Sequence, residues 1–206
     1  MFPLSEMQHD AIIEIFNIGV GRAAATMSHM VNDEILLSVP SIQFLSRVEA
    51  AQRLHGAPDK LVSGVVQHFS GCLDTNALLM FPEDKSLELV RLLVGEEIPL
   101  TEMSELEQEA MTEIGNIILN SCVGTLANLF GCEFNSSLPA YRRGTFAELI
   151  DTESTVSDGE SVVMLLFIDF TLEKNAIHGH VAFLMDVPSF QELTQHIDHF
   201  VGQLAG

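Results

Sequence analysis

One spacing pattern occurs twice in this chain, and it limits the possible folds more than any other feature. An acid, three residues, Glu, two residues, Asn, 22 residues and Pro reads Asp10, Glu14, Asn17, Pro40. It returns as Glu109, Glu113, Asn116, Pro139, every position displaced by 99. In a chain of 206 residues this implies two related halves, about 1–99 and 100–206, forming a single domain. Two copies are too few for an open solenoid, so the halves are expected to pack about a pseudo-twofold axis and share one sheet.

The local patterns fill in that frame. Residues 4–30 read as a helix, with Ser5 as N-cap, Glu6 in the first turn and Asn32-Asp33 at the end. Strands are expected at 35–39, running into Pro40, and at 42–48, 61–69 and 76–81, with a short helix at 86–94. The second half offers a helix at 104–130, strands at 133–138, 161–170 and 176–185, and a last helix at 189–201. Gly95 to Leu100 reads as the join, and Asp151 to Glu160 as a surface loop. The predicted class is α/β in the α+β sense. Two pseudo-symmetric halves share a mostly antiparallel sheet with helices on one side, and the two long motif-bearing helices pack together.

Charge and motifs exclude several functions. Nine Lys and Arg against 29 Asp and Glu leave a formal charge of -20, which disfavours nucleic acid and anionic membranes as partners and favours a partner with an accessible basic group. The longest strongly apolar run, 162–168, is far short of the ~20 residues needed to cross a bilayer. The N-terminus lacks the basic start and cleavage site of a leader, so a cytoplasmic protein is expected. There is no GxGxxG, GxxxxGK[ST] or GxSxG sequence. Cys72, Cys122 and Cys132 are odd in number, lack CxxC spacing and fall in apolar segments, so all three are expected to be reduced thiols. His178 with His180, and His196 with His199, are pairs without a third ligand and read as ordinary histidines, not a metal site.

On a helical wheel with Asp10 at zero, Glu14 falls at about 40°, Asn17 at about 340° and Gly21 at about 20°, a narrow polar ridge. Ile12, Ile15, Phe16, Gly19, Ala23 and Met27 face the other way. The second helix repeats the construction, with Glu109, Glu113, Asn116 and Asn120 on the ridge and Met111, Ile114, Gly115, Ile118 and Cys122 towards the core. Solubility alone does not require Glu and Asn in one register, and Asn is a poor helix former. A Glu three residues before an Asn presents an anion and a neutral amide about one turn apart. The anion suits a partner's Lys or Arg, and the amide suits orienting a water; the pair positions groups better than it transfers protons.

This doubled acid, Glu, Asn, Pro spacing resembles the CheC, CheX and FliY family of chemotaxis phosphatases, over nearly the whole chain. Two motif copies, and an end without the extra flagellar switch domain of FliY, make it most similar to the CheC branch. The resemblance implies hydrolysis of the phospho-aspartate of a CheY-type response regulator. Glu14 and Glu113 would dock the receiver's Lys, while Asn17 and Asn116 orient the attacking water. Asp10, Gly21, Glu109 and Asn120 would line the partner-binding surface. It also implies no cofactor of the chain's own, since Mg2+ belongs to the receiver, and CheD as a further candidate partner. Glu109 departs from the usual Asp or Ser of the family, and Asn120 in place of Gly21 is expected to crowd the second site. The rival expectation is a non-catalytic adaptor that binds a response regulator or the CheD deamidase.

Overall fold

Helix α1 (Glu6–Val31) begins where the sequence supplies a reciprocal cap: the Gln8 N–H donates to the Ser5 hydroxyl and the Ser5 N–H donates to the Gln8 side chain. It ends at Asn32, whose left-handed backbone (φ 55°) terminates the helix. In this computed structural model, which describes residues 4–54, 61–94, 105–152, 161–172 and 175–204, the chain continues through β1 (Ile35–Ser46), α2 (Arg47–Leu54), β2 (Leu61–Gly71), β3 (Thr75–Pro82) and α3 (Glu83–Val94). The order then recurs as α4 (Glu105–Phe130), β4 (Phe134–Ser136) with β5 (Ala140–Thr145), α5 (Phe146–Thr152), β6 (Ser161–Leu172), β7 (Asn175–Asp186) and α6 (Val187–Leu204). The expected join at Gly95 to Leu100 lies outside the described residues, as does the expected loop Asp151 to Glu160 except for its first two residues, which belong to α5.

The seven described strands form one sheet in the order β1-β6-β7-β3-β2-β4, with β5 also on β2, and every pairing among them is antiparallel. The β2–β3 and β6–β7 hairpins meet at the β3–β7 pair. Each half's first strand crosses to the other half's hairpin: β1 lies on β6, and β4 and β5 lie on β2. The shared sheet is therefore an exchange of edges.

The sheet is covered on both faces, which corrects the expectation of helices on one side only. α1, α3, α4 and α6 enclose the larger core, which contains Phe16, Phe69, Phe81, Phe170 and Phe183. α2 and α5 place Ala50, Leu54, Leu149 and Ile150 on the other face, against Val62, Val66, Leu78 and Leu165. The cause is in the central strands: Leu78 and Met80 point opposite to Leu79 and Phe81, all four fully buried, so neither face of β3 can be left to water. The two small helices open alike. The Ser46 N–H donates to the Glu49 carboxylate (2.8 Å) and the Thr145 N–H to that of Glu148 (2.8 Å), and these bonds hold both carboxyls below the usual range. Arg47 and Asp151 pair between the two helices at 3.0 Å. The sequence reading carries a strand on to Val48 and assigns nothing between Pro139 and Asp151. The structure instead has β1 ending at Ser46, with β5 and α5 filling the gap.

The two long helices cross where Gly19 gives room: a Cβ there would stand 3.0 Å from the Cα of Cys122. Gly115 brings α4 down onto β2, since a Cβ at that position would overlap the Val65 side chain. The expectation of three reduced cysteines fails for two of them, because Cys72 and Cys132 form a disulfide with Cα atoms 6.1 Å apart. The cause is β4, whose Phe134 pairs with Gly71 while the Cys72 N–H donates to the Glu133 carbonyl (3.4 Å), drawing the two cysteines together. Cys122 is free and buried, and burial pushes its thiol up to about 12.

His180 lies among Phe146 and Phe167, at ring-centre distances of 5.6 and 4.9 Å, with its buried Nδ1 unpartnered among the described residues. Burial, aided by nearby His178, pulls its pKa down to about 4. The unfolded chain therefore takes up this proton first as pH falls. Stability present above about pH 6.5 should be lost on the way to about pH 4, by roughly 1–3 kcal/mol from this residue. Urea titrations of wild type and His180→Leu at pH 7.5 and 4.5 check this. The variant should show a smaller loss, whereas equal losses would assign the acid sensitivity to the carboxylates instead.

Candidate functional site

Three side chains tie α1 to β1, and their levels explain the motif spacing. The Ser28 hydroxyl accepts from the Ile35 N–H (2.9 Å), Asn17 meets Val39, and the His9 Nε2 lies 3.0 Å from the Ile42 carbonyl. Helix and strand run antiparallel. From Ser28 to Asn17 the helix covers about 16 Å and from Ile35 to Val39 the strand covers about 13 Å, so Asn17 and Val39 stand at the same level. A chain that turns at Asn32 brings Asn17 and the peptide before Pro40 together.

Val39 needs that partner. In the β1–β6 ladder Ser38 faces Asp169 but Ser41 faces Phe167, so Val39 and Pro40 together oppose Ile168 in a bulge. Pro40 has no N–H to give, and Val39 is buried. The Asn17 amide bonds to the backbone groups of Val39: its Oδ1 accepts from the Val39 N–H (2.9 Å) and its Nδ2 donates to the Val39 carbonyl (3.3 Å). One N–H and one oxygen lone pair remain on the amide, held in a fixed direction. Pro40 sits within β1 at this bulge, and not where the chain leaves a strand.

The rest of the first ridge is open. Asp10, Glu14 and Gly21 are exposed and Asn17 is half-buried. A Cβ on Gly21 would meet nothing within 4 Å, so packing of the long helices does not require a glycine there.

The second ridge has the same order but different support. Glu109 and Glu113 are exposed, and Asn116 and Asn120 are half-buried. The bulge recurs: Phe69 faces Ser136 and Val66 faces Ala140, leaving three residues opposite two. Leu138, the counterpart of Val39, is here turned out, 89% exposed. Asn116 is held instead by Asn120, whose Nδ2 donates to the Asn116 Oδ1 (2.7 Å) and carbonyl (2.8 Å) and lies 3.1 Å from the Gln67 Oε1. Gln67 was not among the residues singled out from the sequence. Its only signal was an amide directly after the apolar pair Val65-Val66 in β2.

Glu113 stands between two hollows. On one side an apolar groove of about 190 Å³ runs along Met27, Met30, Val31, Ile114 and Ile117. On the other an open hollow of about 410 Å³ is edged by Glu105, Gln108, Glu109, Thr112 and Tyr141. Each ridge thus offers an anion, a directed amide and, at the second, adjoining apolar surface. Among the described residues no three His, Cys, Asp or Glu side chains gather as a metal site. Of the histidine pairs, His178 bonds Asp169 (2.7 Å), His196 stacks on Phe130 and His199 bonds Gln203 (2.9 Å). No described helix is long and apolar enough to cross a membrane.

No family model matches the chain. Individual proteins do. It is 26% identical over 197 residues to the CheY-P phosphatase CheC of Bacillus subtilis, covering 92% of this chain and 93% of that one. The chain is thus similar to CheC along nearly the whole length of both proteins. It is also 25% identical over 166 residues to the flagellar motor switch phosphatase FliY of Bacillus subtilis, matching 80% of this chain but spanning only 43% of FliY. The fold matches that of Thermotoga maritima FliY with a TM-score of 0.74 at 20% identity, over 97% of this chain and 100% of that one.

The Asn17 bonds carry a consequence for stability. Asn17→Ala leaves a buried N–H and C=O of Val39 without a partner and should cost about 1–3 kcal/mol, measured by urea unfolding. Asn116→Ala releases only another side chain and should cost less. Equal losses would show that the Val39 bonds carry no weight.

Proposed function

We propose that this chain is a phosphatase acting on the phospho-aspartate of a CheY-type response regulator, and that it does so as one domain of two repeats, about 1–99 and 100–206. The observation that carries the reading is the exposed Glu14 with the Asn17 amide held one turn away by the Val39 backbone. The similarity to CheC and FliY supports the substrate class.

Glu14 is the docking anion, exposed and able to meet a lysine beside the partner's phospho-aspartate. With that contact made, the free lone pair of the Asn17 amide accepts a hydrogen from water, and its remaining N–H lies towards the phosphoryl oxygens. The water oxygen bonds to phosphorus as the phosphorus–oxygen bond to the aspartate breaks. The water proton is lost to solvent or phosphate, leaving carboxylate and inorganic phosphate. No acid or base of this chain is required, because an acyl phosphate is already reactive and such transfers depend mainly on positioning and charge. A magnesium ion in the receiver would neutralise the phosphoryl oxygens, and the chain itself needs no cofactor. Glu113 and Asn116 form the second copy, with Asp10, Gly21, Glu109 and Asn120 bordering the partner.

The test is phosphate release from a CheY-type receiver domain charged with a small-molecule phosphodonor in magnesium. Asn17→Ala with Asn116→Ala should abolish the acceleration, with melting temperature recorded alongside because of the Val39 bonds. Glu14→Lys should act chiefly by weakening binding, since it sets a like charge against the partner's lysine. Full turnover by the double asparagine variant would sink the mechanism. Unaltered affinity in Glu14→Lys would remove the docking role.

A further inference from the structure

The two ridge asparagines are held by different devices, and the second device has a polarity that can be read link by link. It starts at the carbonyl of Ser137, which can only accept. The Gln67 Nε2 donates to it at 2.9 Å. That fixes the Gln67 amide, which is 2% exposed, with its Oε1 towards α4. An acceptor at that place obliges Asn120 to turn its Nδ2 inward, where it lies 3.1 Å from Oε1. The same Nδ2 then donates to the Asn116 Oδ1 at 2.7 Å. Two backbone carbonyls, that of Ser137 through Gln67 and that of Asn116 directly at 2.8 Å, thus agree on which way the Asn120 amide faces, and it in turn orients the Asn116 amide. No described residue accepts from the Asn116 Nδ2, so its N–H pair is left for a partner.

We propose that Asn120 and Gln67 are positioning residues for the second site, replacing there the Val39 backbone that positions Asn17. The exchange is coupled. At Gly21 the first ridge has no side chain to reach Asn17, and the buried Val39 peptide does the holding. In the second, Leu138 is turned out to solvent and Asn120 stands where Gly21 would be. The inference rests on the reading of Asn116 as a substrate-orienting amide. It differs from that reading in naming two residues that touch neither water nor phosphate.

The experiment isolates the second site in an Asn17→Ala background, with Glu14→Lys as the alternative background should the first not fold, and follows phosphate release from the charged receiver domain. Asn120→Ala should lower kcat about 2- to 10-fold, the worth of one hydrogen bond, and change KM by less than kcat, because the docking anion Glu113 is kept while only the border of the partner surface at Asn120 is altered. Asn120→Asp keeps the size but cannot donate, so it should fall at least as far, whereas a space-filling role would be satisfied by it. With Asn17 intact, adding Asn120→Ala to Asn116→Ala should lower kcat no further than Asn116→Ala alone. The positioning role is overturned if both Asn120 variants keep the background kcat while Asn116→Ala abolishes it, or if neither background has any turnover to support. If Asn116→Ala itself leaves that turnover unchanged, the failure belongs to the functional reading.

Discussion

A buried peptide that its own strand cannot satisfy sets the terms for the first site. The bulge at Val39 and Pro40 interrupts the ladder to β6, and leaving such groups unpaired inside the protein costs on the order of 1–3 kcal/mol. Asn17 removes that cost and is itself immobilised by doing so. The residue proposed to orient water is therefore also one that keeps α1 on β1. Asn, bulge and Pro form one unit in which stability and orientation have the same cause.

The second half keeps the outline of this unit while changing its contents. Its bulge is present, yet the peptide before Pro139 belongs to a residue facing solvent. Gln67, from the first half, relays the Ser137 carbonyl of the second half to Asn120, a link that the second half does not make by itself. The second ridge is thus supported across the boundary between the halves, whereas the first ridge rests on the strand that follows it.

Much of this was legible in the sequence, because much of it is periodic. The ridges, the buried faces of α1 and α4, the cap at Ser5 and the stop at Asn32 follow from spacing and residue type. Asn17 and Pro40 were recognisable as a pair, but a bond from a side chain to a backbone 22 residues away leaves no periodic trace. α2 and α5 are too short to show a helical period, although Ser46 with Glu49 and Thr145 with Glu148 already had the spacing of a reciprocal cap. The unbroken apolar run Leu78 to Phe81 signalled burial on both faces and argued against a one-sided sheet. The Cys72–Cys132 bond depends on a three-residue edge strand, which no composition or spacing of three cysteines reveals.

The exchange of edges bears on how the chain reaches its fold. Among the described strands β1 pairs with β6 alone, with Ile35 opposite Leu172 and Ser46 opposite Val162. A growing polypeptide therefore carries α1 and β1 out of the ribosome long before the strand that will receive them exists. Pairings so distant in sequence make for slow closure. Until β6 has been made, the first half presents an unsatisfied strand and the uncovered apolar side of α1, the kind of surface that chaperones hold and that aggregation exploits.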